Sequence, residues 1–159
     1  MTKRLLIVRH SEAEYNASCR KDFDRALTEQ GMVYANKQGR KLYETEFKPD
    51  FFASSNAVRA ESTAKILADQ MRFDQREINF MEELYNMPMG LMLDWIGKQN
   101  EDFNSIMIVG HNPLLSYLVE YITGDTGFHM QPCDLVMLEM NIESWMLIGR
   151  DCGKLLWRL

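Results

Sequence analysis

Apolar residues in this chain alternate between short unbroken runs and stripes at helical spacing. Leu5-Leu6-Ile7-Val8 is an unbroken run that ends abruptly in Arg9-His10, the pattern of a strand buried on both faces. Over residues 28 to about 47, Met32, Ala35, Leu42 and Tyr43 recur at helical spacing with charge between them. Thr28 is suited to cap that helix and Pro49 to stop it. Residues 50–53 read as a second brief strand. Residues 57 to about 71, rich in Ala with Val58, Ala64, Leu67 and Ala68 on one side, read as a second helix. Residues 75–81 carry a weak strand signal, and 89–97, just after Pro88, a short helix.

Residues 105–109, Ser-Ile-Met-Ile-Val, form the clearest central strand. After Gly110-His111-Asn112-Pro113, residues Leu114, Leu115, Leu118, Val119 and Ile122 trace a helix, with Asn112 as its cap and Pro113 in its first position. Beyond Gly124 the pattern turns to strands at 135–140, 145–148 and 154–157. Strands alternating with helices over the first 120 residues predict an α/β fold. The expected core is a mostly parallel central sheet flanked by helices, with an antiparallel edge from the C-terminal strands. A length of 159 residues without repeats or a linker predicts one domain over 1–159.

Charge and cysteines narrow the function classes. Eighteen basic against twenty-three acidic residues give a net charge of −5, a field that repels nucleic acid and anionic membranes. A phosphate site would therefore be a local concentration of Arg. Cys19, Cys133 and Cys152 are odd in number, far apart and without a CxxC pair, as expected of a reducing compartment. The run from Leu5 to Val8 is too short for a signal segment or a membrane span, so the cytoplasm is the expected location. Neither a GxGxxG fingerprint nor a GxxxxGK[ST] loop is present, which argues against a dinucleotide or P-loop site.

The candidate chemistry lies at strand ends. Of three histidines, His10 and His111 directly follow the two most convincing strands, whereas His129 has no motif around it. In such sheets ligands sit beyond the carboxyl ends of the strands. Arg9-His10, His111-Asn112 and Arg59, near the start of the second helix, can converge there into a positive pocket. A neutral imidazole among guanidinium groups suits attack on a phosphoryl group: the cations hold its oxygens, depress the imidazole pKa and stabilise the transition state. Arg suits this better than Lys because its planar fork binds two oxygens at once.

The segments Leu6 to Ala13, Leu27 to Gly31, Ser54-Ser55 through Arg59-Ala60 to Thr63-Ala64, and Val109 to Pro113 together resemble the histidine phosphatase superfamily. Within it the chain is most similar to the small SixA-type phosphohistidine phosphatases. The resemblance implies a three-layer sandwich, no cofactor and no metal, and a phosphorylated protein or small phosphorylated molecule as partner. It implies that His10 is the nucleophile and becomes phosphorylated, and that Arg9, Arg59 and His111 bind the transferred group. Asn16 matches an Asn that helps hold phosphate in the phosphoglycerate-mutase-like branch, and Ser11, Asn86 and Asn112 are placed with it beside the substrate.

Two positions depart from the family pattern. Ser11 stands where Gly is usual, which constrains the backbone or adds a hydroxyl hydrogen bond. Asn86 stands where many relatives carry a Glu that protonates the departing oxygen, and Asn cannot act as a general acid. An alkoxide leaving group needs such a donor, whereas the imidazole leaving from phosphohistidine has its own protonatable nitrogen, with a reference pKa of about 6.5. The reading is thus a phosphohistidine phosphatase. Glu82 and Glu83 are the alternative proton donors, and would favour a small-molecule phosphomonoesterase. A non-catalytic phospho-ligand module is a third reading. Met87, Met89 and Met92 read as a packing surface beside the crevice. The substrate's identity and the oligomeric state have no signature in the sequence.

Overall fold

In the computed structural model, which describes residues 2–15 and 21–159, six strands form one sheet. They are β1 (Lys3–Arg9), β2 (Phe51–Ser55), β3 (Ile78–Met81), β4 (Ser105–Gly110), β5 (Leu135–Met140) and β6 (Gly153–Arg158). Their spatial order is β3-β2-β4-β1-β5-β6. The pairs β1·β4, β2·β4 and β2·β3 are parallel, and β5 runs antiparallel to both β1 and β6. The mostly parallel sheet with an antiparallel edge is therefore the observed architecture.

Alternation along the strands divides the core in two, because successive side chains point to opposite faces. Leu6, Val8, Phe52, Met107 and Val109 face the helices α1 (Glu29–Glu44) and α2 (Val58–Met71), through Ala35, Leu42, Ala64 and Leu67. Leu5, Ile7, Ala53, Ile106 and Ile108 face α3 (Met89–Gly97) and α4 (Leu114–Thr123), through Met92, Ile96, Leu115, Leu118 and Ile122. Every residue from Leu5 to Val8 has 0% exposure, and burying each such side chain contributes about 2 kcal/mol. Gly39 lets α1 approach α2, since a Cβ there would stand 2.7 Å from Gln70 Cβ.

Local chemistry sets the boundaries. The Thr28 hydroxyl accepts the Gly31 N–H at 2.9 Å and caps α1, which ends at Glu44, short of the expected 47. The weak signal at 75–81 resolves into a 3-10 turn, Gln75–Glu77, followed by edge strand β3. One expected strand is absent: residues 145–148 hold a 3-10 turn, Trp145–Leu147. Trp145 is fully buried and donates its Nε1–H to the Phe103 carbonyl, while Met146 and Leu147 are exposed. Glu101 fixes that turn by accepting from the Ser144 hydroxyl and the Trp145 N–H. α4 starts at Leu114, one residue later than expected, after a cis Asn112-Pro113 bond. Asn112 still serves the helix end, its Oδ1 accepting from the Ser116 N–H and hydroxyl. Among the described residues no helix is long and apolar enough to cross a membrane.

Candidate active site

Register brings the two histidines together. Arg9 pairs with Gly110 across β1 and β4, so the residues that follow, His10 and His111, emerge side by side. From β1 the chain passes through α1 to β2, and from β4 through α4 to β5, so it leaves the β1/β4 junction toward opposite edges of the sheet. That junction is where α/β sheets open a ligand crevice. The two imidazole rings lie 5.2 Å apart between centroids. β2 flanks β4 on its other side and delivers Ser55, whose Oγ lies 2.8 Å from His111 Nε2.

His10 is fixed through one nitrogen, which leaves the other with a lone pair. Its Nδ1 lies 2.7 Å from the Ser11 carbonyl, an acceptor only, so Nδ1 carries the proton and Nε2 keeps its lone pair. Arg59 Nε donates to that lone pair at 3.3 Å. Burial pushes the His10 pKa down to about 4, and Arg59, Arg9 and Arg25 push the same way against the Ser11 carbonyl. His111 falls to about 3, chiefly by burial, then through His10 and Arg59. Both rings are neutral at pH 7.

The cations are held by hydrogen bonds at their guanidinium groups. Arg59, on the first turn of α2 and 4% exposed, donates from Nη1 to the Asp22 carbonyl at 2.7 Å and from Nη2 to the Asp22 carboxylate at 2.9 Å. Arg9 Nη1 donates to the Met130 carbonyl at 2.8 Å, and Arg9 Nε is buried without a partner among the described residues. Burial lowers the Arg9 pKa, with Asp134 opposing.

The remaining expected residues divide. Ser11 is fully buried; its hydroxyl donates to the Gly31 carbonyl at 2.7 Å and its N–H to Thr63 Oγ1. The extra hydroxyl thus ties the loop to α1, one of the two consequences expected of a serine at this position. Gly31 permits this contact, since a Cβ there would lie 2.2 Å from the Glu12 carbonyl oxygen. Asn112 also works in the scaffold, donating to the same Met130 carbonyl that receives Arg9. Asn86 is exposed after a 3-10 turn over Glu82–Tyr85, and Glu82 and Glu83 are exposed on it. Among the described residues neither glutamate hydrogen-bonds to the site. Asn16 lies outside the described residues.

Sequence reasoning missed Asp22, Tyr85, Arg25 and Ser55 as members of the cluster. The Tyr85 hydroxyl donates to Asp22 Oδ2, its ring stands edge-on to His111 at 5.4 Å, and the Arg59 guanidinium lies over it at 5.7 Å. Arg25 donates from Nε to Asp22 Oδ1 at 3.0 Å. The Tyr85 hydrogen bond, then Arg59 and Arg25, hold the Asp22 carboxyl down to about 2 against the effect of burial. The available signal was positional: Ser54-Ser55 ends β2 as Arg9-His10 follows β1, a third polar strand terminus at the same edge.

Neutral imidazoles among guanidinium groups, at the carboxyl ends of the strands of a largely parallel sheet, form a site suited to a phosphoryl group. Comparison with known proteins narrows the class. A family model of the histidine phosphatase superfamily (branch 1) matches residues 5–102, and the chain belongs to that superfamily. Its fold is similar to that of an Agrobacterium tumefaciens protein described as the phosphohistidine phosphatase SixA, with TM-score 0.82 and 26% identity over 99% of this chain and 97% of that one. The protein histidine phosphatase SixA solved with tungstate has the same fold at TM-score 0.84, 22% identical over 98% of this chain and 96% of that one. Among curated proteins, a chloroplastic Arabidopsis thaliana protein of uncharacterised activity is 24% identical over 91% of this chain and 70% of its own length. The 2,3-bisphosphoglycerate-dependent phosphoglycerate mutase of Pelagibacter ubique is 40% identical over 75 residues, which are 46% of this chain and 31% of that protein.

Proposed function

We propose that the protein hydrolyses phosphohistidine in a protein substrate through a covalent intermediate on His10. The observation that supports this reading is that, among the described residues, no protonated carboxyl group hydrogen-bonds to His10 or His111, while His10 Nε2 keeps its lone pair. Asp22 is the carboxyl group that the described residues place in the cluster, and with a pKa of about 2 it is ionised at neutral pH. By the resemblance Asn86 stands where relatives carry the acid, and Glu82 and Glu83 are exposed, with no hydrogen bond to His10, His111, Arg9 or Arg59 among the described residues. Such a site favours a leaving group that takes up its own proton, as the imidazole of phosphohistidine does.

His10 Nε2 attacks the phosphorus of a phosphohistidine whose ring carries a proton on its far nitrogen; the P–N bond breaks, its electron pair stays on the leaving nitrogen, and the ring departs as neutral imidazole. Arg9, Arg59 and His111 hold the three phosphoryl oxygens as charge develops on them. Water then attacks phospho-His10, releasing phosphate and a proton and restoring the lone pair on Nε2. The domain over 1–159 would carry this reaction without a metal or cofactor.

The test compares phosphate release from a histidine-phosphorylated protein and from alkyl phosphomonoesters at matched concentration, with His10→Ala as the blank. Faster turnover of phosphohistidine with a dead blank is the expected result. Faster turnover of the esters would overturn it and favour the small-molecule reading, which the local similarity to phosphoglycerate mutases supports.

A further inference from the structure

Ser55 ends β2, is fully buried, and has no part in the phosphoryl transfer as described so far. Its Oγ accepts the Ala57 N–H at 3.1 Å and lies 2.8 Å from His111 Nε2. Among the described residues Oγ has no third partner. A serine hydroxyl carries one proton and two lone pairs, and the Ala57 amide uses one pair. Were Nε2 the donor, the serine proton would be left in the interior without an acceptor, which buried hydroxyls avoid. With Nε2 as acceptor both groups are satisfied. A neutral ring carries one proton, so that proton sits on Nδ1, which is itself buried and unpartnered.

We propose that Ser55 is a positioning residue that fixes His111 as its Nδ1–H tautomer, making this ring a hydrogen-bond donor to the phosphoryl group. The two histidines then carry their protons on the same nitrogen and differ in which nitrogen is engaged. His10 spends Nδ1–H on the Ser11 carbonyl and keeps a lone pair for attack. His111 spends its lone pair on Ser55 and keeps Nδ1–H. The opposite tautomer of His111 would leave its lone pair at Nδ1, repelling phosphoryl oxygens instead of binding them. This inference rests on the pocket holding a phosphoryl group, but not on which molecule brings it.

The experiment is long-range 1H–15N correlation of the histidine rings at pH 7, in the wild type and Ser55→Ala, with and without tungstate. Peaks are assigned with His129→Gln and His10→Asn. In the wild type, His111 Nδ1 should be of the protonated type and Nε2 of the unprotonated type, and Nδ1 should shift when tungstate binds. In Ser55→Ala the proton should redistribute toward Nε2 with the His10 signature unchanged. Tungstate affinity and kcat should each fall about ten- to a hundredfold, the range for partners that orient a functional imidazole. Ser55→Thr, which keeps the hydroxyl, should restore most of the loss. A wild-type His111 protonated at Nε2, or an unchanged tautomer in Ser55→Ala, would overturn the proposal, and the wild-type spectrum decides even if the variant fails to fold. If the tautomer is as expected but phosphohistidine is not turned over, only the substrate reading falls.

Discussion

The floor of the site and its rim are held by different forces. The floor consists of His10, 8% exposed, and His111, partly buried, placed by strand register at the carboxyl end of the central strands and fixed through the Ser11 carbonyl and the Ser55 hydroxyl. The rim consists of Asp22, Phe23 and Tyr85, from two 3-10 turns, with the Asp22 side chain 42% exposed. Phe23 and Tyr85 meet edge to face at 5.1 Å, and Asp22 is drawn in by Arg59, Arg25 and Tyr85. Burial and backbone geometry set the floor before any ligand arrives, whereas the rim is set by charge that a ligand can compete for. Arg59 belongs to both, with Nε on His10 and its two terminal nitrogens on Asp22.

The largest effect that would break this division is therefore at Arg59. Arg59→Ala removes the donor on His10, the fork proposed for phosphoryl oxygens and the partner of Asp22 in one step. Turnover should fall by about 10²- to 10³-fold, the cost of losing a preorganised transition-state donor. Arg59→Lys should recover little, because a single ammonium cannot reach His10 and bind two oxygens together. Steady-state kinetics on the preferred substrate, with a thermal melt to verify folding, gives the comparison. Near-normal kcat/KM in Arg59→Ala would show that the floor works without it.

A second effect belongs to the floor alone. His10 is held near a pKa of about 4 in the folded protein against 6.5 for the free side chain, so the unfolded chain binds a proton that the folded one refuses. Stability is then fully present above 6.5 and lost as the pH falls toward 4. By pH 5 this amounts to about 2 kcal/mol from His10, with His111 adding in the same direction. Asp22 adds a further, solvent-screened loss only below its usual carboxylate range, as the pH falls toward about 2. Denaturant midpoints from pH 7.5 to 4.5 should show this slope, and His10→Asn should flatten it. An equal slope in the variant would place the acid sensitivity elsewhere.

The same division explains what could be read from the sequence. The floor was legible because strands buried on both faces are unbroken apolar runs, so Leu5 to Val8 and Ile106 to Val109 advertise themselves, and their histidines follow directly. The run Trp145-Met146-Leu147-Ile148 misled for the same reason: four apolar residues imitate a strand, but only Trp145 is an anchor, while Met146 and Leu147 stand 78% and 61% exposed. β3 was weak because it is an edge strand with one pairing partner and mixed burial. The rim was illegible because Asp22-Phe23-Asp24-Arg25 looks like any charged turn. Its meaning comes from Arg59, 37 residues away in sequence, and Tyr85, 63 away. Ser11 shows the limit from the other side, a visible departure whose hydroxyl turned inward to Gly31.

The smallest expected effect tests the rim's competition with ligand. Arg59 and Arg25 both spend donors on the Asp22 carboxylate, and the fork of Arg59 is the one proposed to hold the arriving dianion. Asp22→Asn keeps an acceptor of similar shape but removes the negative charge that stands nearest to the incoming one. Inorganic phosphate or tungstate should then bind more tightly, by about two- to fivefold, since an ion pair as exposed as this one is worth about 1 kcal/mol or less. The gain should shrink as salt is raised, because the competing attraction is screened. Removing the pair should cost the fold a similar fraction of a kcal/mol, visible as a slightly lower melting temperature in the absence of ligand. Isothermal titration of both proteins at two ionic strengths measures the difference. Weaker oxyanion binding in Asp22→Asn would mean that the carboxylate orients Arg59 for the ligand rather than competing with it, and the rim would then belong with the floor.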